Sequence, residues 1–163
     1  MEYTNKEIIL HPGELYFGAA PKRIRTVLGS CVAISVWHPQ LRVGGLCHYL
    51  IATTGKPKEY LLDTKYAAVA GDQLIRHMTN HGRLDAYQVS IWGGGDMNRL
   101  PLTETVGFQN IAFARQWVEA HNLQLRHEDV GSDICRTLIF DLADGVCYLK
   151  KYRVDDNGHR YEH

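Results

Sequence analysis

No stretch of this 163-residue chain approaches the roughly 20 consecutive apolar residues that a helix needs to cross a bilayer, so membrane insertion is not expected. Net charge is also missing. The 18 Lys and Arg balance the 18 Asp and Glu, which leaves no positive field to gather nucleic-acid phosphates. The four cysteines contain no CxxC pair, the signature of a zinc site or redox centre. Residues 1–10 carry Glu2, Lys6 and Glu7 instead of a basic patch followed by an apolar core, so no secretory leader is expected. The expected location is the cytoplasm, where Cys31, Cys47, Cys135 and Cys147 are thiols. Repeats, low-complexity tracts and linkers are lacking too. A single domain over residues 1–163 is expected, with a charged tail from about Asp155 that frays.

What is present is strand-rich. "CVAISVW" is the clearest strand, closed by Pro39, and "VGGLCHYLI" follows closely enough to make a hairpin. "HPGELYFGAA" and "KRIRTVLGS" give two earlier strands, and "AYQVSIW", "LQLRHEDV", "RTLIFDL" and "VCYLKKY" give later ones, the last two joined by the turn "ADG". Residues 53–60 read as an exposed polar loop. A helix is predicted next, capped by Asp63 or Thr64, buried at Ala67, Ala70, Leu74 and Met78, and stopped at His81-Gly82. A second is predicted from Gly107 to His121 with a stripe of Phe108, Ile111, Ala112 and Val118. This order predicts an α/β or α+β domain of layered mixed β-sheets flanked by helices.

The stretch "TVLGSCVAISVWHPQLRVGGLCHYL" holds two of the four cysteines and one histidine. Side chains alternate across a strand, which puts Cys31 with Ala33, Ser35 and Trp37, opposite the aliphatic face Val32, Ile34 and Val36. That aliphatic face is the expected core, and the Cys31 side the smaller and more polar one. In the partner strand His48 goes with Leu46 and Leu50, whereas Cys47 goes with Tyr49 and Ile51. Cys47 and His48 therefore diverge, and Cys31 is the cysteine His48 can meet. An imidazole beside a thiol can take its proton and make a nucleophile, and backbone N–H groups around Gly29, Ser30 and Cys31 could receive an oxyanion. The plainer alternative is a packed Cys and His with no chemistry.

Other motifs are weaker. "GGGDMN" at 93–98 lacks the spacing of a phosphate loop and reads as a tight turn. His77 and His81 share a helix face, but no third metal ligand accompanies them, and a helix-end role is preferred. Cys135, expected in a loop, and Cys147, expected in a strand, read as structural.

The order of segments resembles the chemoreceptor glutamine deamidase family, CheD. It does so in "HPGEL", "RTVLGSCVAISVWHP", "VGGLCHY", "KYAAVA", "IWGGGDM", "VGFQN" and "EDVGSDICR", from about residue 8 to residue 152. The combination of "LGSCVA" with "GG-x-x-H" is the specific part. The resemblance implies hydrolysis of selected glutamine side chains to glutamate in the cytoplasmic helices of chemotaxis receptors, and the family is also associated with receptor methylester hydrolysis. It implies Cys31 as nucleophile, His48 as general base and Thr26 as third member, with Ser30 another nearby hydroxyl. It implies a layered α/β fold similar to the catalytic domain of the cytotoxic necrotizing factor toxins, and no metal or organic cofactor. The implied partners are methyl-accepting chemotaxis receptors as substrate and a CheC-type phosphatase. One alternative is an adaptor that binds receptors or that phosphatase with catalysis absent or secondary; another is a general thiol hydrolase. The "GGG" loop is then expected to border the active cleft. A departure lies in "VGSDICRT", where the family tends to have "GGNRGR", and it bears on docking through that loop.

Overall fold

Every second residue of Arg23–Leu28 is buried: Ile24, Thr26 and Leu28 face inward while Arg23, Arg25 and Val27 face outward, the period of a half-covered strand. The computed structural model describes residues 7–19, 22–52, 63–97, 105–154 and 160–162. Among them are ten strands and two α-helices, in the order β1 (Glu7–Ile9), β2 (Leu15–Ala19), β3 (Arg23–Leu28), β4 (Val32–His38), β5 (Val43–Tyr49), α1 (Ala67–His81), β6 (Gln88–Gly93), α2 (Val106–Ala120), β7 (Gln124–Val130), β8 (Cys135–Asp141), β9 (Cys147–Val154) and β10 (Arg160–Glu162).

The strands form two five-stranded mixed sheets, the layered α+β architecture read from the sequence. One runs β1-β3-β8-β9-β10 and the other β2-β5-β4-β6-β7. Only β1/β3 and β6/β7 pair in parallel. The β6/β7 pair is joined through α2, as a parallel connection requires.

Two cores follow from which faces are apolar. On one side of the second sheet, Val32, Ile34, Val36, Cys47, Tyr49, Val89 and Ile91 pack against Ala67, Ala70, Leu74 and Met78 of α1 and Ile111, Ala114, Trp117 and Val118 of α2. On the other side Ala33, Leu46 and Trp92 meet Ile24, Leu28, Leu138 and Phe140 of the first sheet. The central strand β4 is thus covered on both faces. That corrects the expectation of one core face and one polar face: the Cys31 side of β4 is the inter-sheet core.

Other expectations shift for local reasons. Neither Asp63 nor Thr64 caps α1; the N-cap is Tyr66, Asp63 Oδ1 accepts from Lys65 N at 3.0 Å, and the Thr64 hydroxyl donates to the Gly13 carbonyl. In α2, Ile111 and Val118 are buried as expected, Phe108 and Ala112 are only half-buried, and Asn110, Ala114 and Trp117 complete the inner stripe. Cys135 begins β8 and is not in a loop. Arg160–Glu162, within the tail expected to fray, pair antiparallel with β9, while residues 155–159 lie outside the described residues. The predicted loop at 53–60 lies outside them too.

Candidate active site

The link from β3 to β4 passes from one sheet to the other, and Cys31 sits on it, half-buried, immediately before β4. Its side chain packs against the inter-sheet core. In the antiparallel β4/β5 pair Ala33 stands opposite His48, so His48 shares the face of Ala33 and of Cys31 two residues earlier. Cys47 points the other way, into the helix-side core, where burial pushes its thiol up to about 12.

His48 is fully buried and held from three directions. Its backbone N–H donates to Glu14 O at 3.1 Å, and its carbonyl accepts from Gly13 N at 2.8 Å, so the "HPGEL" turn clamps both edges of the residue. Its Nδ1 lies 2.6 Å from Thr26 Oγ1, a contact that spans the two sheets. Thr26 is itself 1% exposed, and its hydroxyl donates to the Leu10 carbonyl at 2.8 Å. A hydroxyl has a single proton to donate. With that proton committed to Leu10, Thr26 Oγ1 accepts from His48, which assigns the imidazole proton to Nδ1 and leaves Nε2 as a bare acceptor. Nε2 is buried with no hydrogen-bond partner among the described residues.

Electrostatics keep the resting pair neutral. Burial depresses His48 to about 4, and burial raises the Cys31 thiol, partly offset by the N–H of Cys31 itself. At neutral pH His48 is therefore unprotonated. An imidazolium becomes favourable there only when negative charge develops on the neighbouring sulfur or a bound oxygen.

The "GGG" loop borders the cysteine link. Gly94 N donates to Cys31 O and Gly95 N to Gly29 O, both at 2.8 Å. Gly93 and Gly94 have φ of +101° and +68°, and a Cβ on Gly93 would stand 2.4 Å from Cys31 O. Side chains are excluded there by both conformation and space. Met97, 40% exposed, follows the loop, and its sulfur is 3.4 Å from Cys135 Sγ. Ser30 turns its carbonyl to Asn110 Nδ2 at 3.0 Å, and Asn110 Nδ2 also reaches Leu50 O at 2.9 Å. From the far side Arg136, 2% exposed, bonds the Gly93, Gly131 and Ile134 carbonyls and pairs with Asp129 at 2.8 Å. Burial works to raise the Asp129 carboxyl, but hydrogen bonds and charge from Arg136 and Lys151 outweigh it and hold it below its ordinary value.

Thr26, Cys31 and His48, singled out in the sequence, thus converge on one inter-sheet region, with Gly29 and Ser30 in the link beside them. Leu10 and Asn110 were not foreseen, because each acts through a hydroxyl or carbonyls supplied by distant segments, and Arg136 was given no role although three of its four partners lie within seven residues of it. His77 and His81 stand apart, their rings against Phe17 at 5.1 and 5.0 Å.

Comparison with known proteins decides the family. The model of the family "CheD chemotactic sensory transduction" matches residues 52–151. A probable chemoreceptor glutamine deamidase CheD of Pseudomonas syringae pv. tomato is 41% identical over 154 residues, covering 91% of this chain and 91% of that protein. The chain belongs to the CheD family. CheD relatives extend further: one from Dechloromonas aromatica is 37% identical over 88% of this chain and 86% of its own length, and one from Leptospira interrogans 30% over 89% and 92%. The CheD family model begins after His48. The Pseudomonas syringae CheD match omits less than a tenth of the chain, too little to reach residues 26–48 from either end.

Proposed function

We propose that this chain is a single-domain protein-glutamine deamidase that converts selected glutamine side chains of chemotaxis receptors to glutamate, with Cys31 as nucleophile, His48 as general base and Thr26 orienting the imidazole. The observation that carries the reading is the bare, buried His48 Nε2, held in that tautomer by a threonine whose own proton is committed elsewhere.

His48 Nε2 takes the Cys31 proton as the sulfur attacks the glutamine carboxamide carbon. The resulting oxyanion is received by N–H groups of the Gly29-Ser30-Cys31 link. The imidazolium returns its proton to the departing nitrogen, so ammonia leaves and a thioester remains. A water then gives its proton to Nε2, attacks the thioester and releases glutamate and the thiol. Thr26 accepts from Nδ1 throughout and stabilises the imidazolium less than a carboxylate would. No metal or organic cofactor enters these steps. Cys31 is half-buried while its base is fully buried, an arrangement suited to a carboxamide presented on the surface of another protein.

The receptor helices lie in the cytoplasm, and this reading puts the enzyme there, with a CheC-type phosphatase as a second partner. Mass spectrometry of receptor cytoplasmic fragments incubated with wild-type and Cys31→Ala protein tests it. Amide-to-acid conversion by the wild type alone is expected. Equal conversion by Cys31→Ala would sink the mechanism, receptor binding without conversion would favour an adaptor, and conversion of small amides only would favour a general thiol hydrolase.

A further inference from the structure

Asn110 is a fully buried polar residue near the start of α2 that the chemistry above does not use. Its side-chain nitrogen faces two carbonyls, Ser30 at 3.0 Å and Leu50 at 2.9 Å, which fixes the orientation of the carboxamide, since only the nitrogen edge can donate. Those carbonyls are not arbitrary ones. Ser30 directly precedes the candidate nucleophile, and Leu50 lies two residues beyond the candidate base, just past the end of the neighbouring strand β5. One carboxamide therefore ties the nucleophile link to the strand of the base.

Its contribution to stability is mixed: Nδ2 satisfies two carbonyls, whereas Oδ1 is buried with no donor among the described residues. What an apolar side chain cannot do is hold the Ser30 carbonyl. In a trans peptide the C=O and the following N–H point in opposite directions, so drawing Ser30 O toward α2 turns the Cys31 N–H the other way, away from the helix. Burial raises the Cys31 thiol, and this N–H works against that burial in favour of the thiolate. The helix itself is pinned at this residue, because the Tyr49 hydroxyl donates to the Asn110 carbonyl.

We propose that Asn110 is a positioning residue for the deamidation, setting the separation of Cys31 from His48 and aiming the Cys31 N–H at the oxyanion. The proposal rests on the assignment of Cys31 and His48 made above. A 1 Å displacement of reacting groups costs on the order of 100-fold in rate.

Asn110→Leu removes both donors and the orphaned oxygen together while keeping the volume close. In folded Asn110→Leu, kcat on receptor fragments is expected to fall about 100-fold with KM nearly unchanged. The pH midpoint for alkylation of Cys31 by iodoacetamide, read against a Cys31→Ala blank, is expected to rise. A merely structural residue would move the unfolding midpoint and leave the kcat and alkylation profile of the folded protein alone. If Asn110→Leu does not fold, Asn110→Ser, smaller and polar, carries the same two measurements. Wild-type kcat and alkylation midpoint in the folded variant, with Cys31→Ala inactive, overturn this proposal alone. Full activity of Cys31→Ala overturns the underlying reading and this proposal with it.

Discussion

At the scale of the residue, His48 is defined by what surrounds each of its nitrogens. Nδ1 has an acceptor whose proton is already used, and Nε2 is buried with no hydrogen-bond partner among the described residues. The same burial makes it a stability sensor. An unfolded histidine titrates near 6.5, whereas burial holds folded His48 at about 4. Between those values the unfolded chain binds a proton that the folded one refuses, so stability is full above about 6.5 and falls as pH drops toward 4. Each pH unit in that window is worth about 1.4 kcal/mol, and the whole window on the order of 3 kcal/mol. Urea unfolding of the wild type at pH 7 and pH 4.5 is expected to show this loss. His48→Gln removes the titration, and the difference between the two proteins isolates His48 from the other histidines. An identical acid-dependent loss in His48→Gln would show that the buried imidazole is not its source.

At the scale of the element, the cysteine link is set by three pieces packed around it: the glycine loop after β6, the start of α2 and the start of β8. The start of α2 fits tightly against the loop at Gly107, where a Cβ would stand 2.4 Å from Gly94 O and 2.6 Å from Gly95 O, both backbone atoms. Gly107→Ala therefore pushes α2 off the loop that bonds Cys31 and Gly29. The expected outcome is a loss of about 1–3 kcal/mol in urea unfolding, with a fall in kcat of the folded protein. Val106→Ala, at a position 48% exposed, is the control expected to change neither. Equal kcat in both variants would separate α2 placement from the chemistry. Pieces of this kind are the hardest to read from a sequence. The parity of β4 and β5 was legible because alternation is local, and it separated Cys47 from Cys31. The inner stripe of α1 was legible for the same reason. The stripe of α2 was legible at Ile111 and Val118, but not at Asn110, which reads as polar and whose nitrogen finds carbonyls of Ser30 and Leu50, some 80 and 60 residues away. Strand β1, three residues long and paired in parallel with β3, offers no local signal, yet the carbonyl just after it accepts the Thr26 proton.

At the scale of the molecule, three layers divide the work. The proposed triad is assembled from a strand of the first sheet, the link between sheets and a strand of the second, so its geometry depends on the spacing of the inter-sheet core. The helix-side core packs behind the second sheet, on the face opposite the inter-sheet core. Two truncations of similar cost distinguish these roles. Met78, fully buried in the last turn of α1, and Leu28, fully buried between Thr26 and Cys31, each lose about 2–5 kcal/mol when cut to alanine. Met78→Ala is expected to lower the urea midpoint while the folded fraction keeps wild-type kcat, since the slack it creates lies behind the sheet. Leu28→Ala is expected to lower both, because Leu28 holds the two sheets apart where Thr26 reaches across to His48. Kinetics in buffer without denaturant, normalised to the folded fraction measured by circular dichroism, supply the comparison. Equal kcat in the two variants would mean that the triad tolerates changes in sheet spacing, and the inter-sheet core would then be a stabilising element alone.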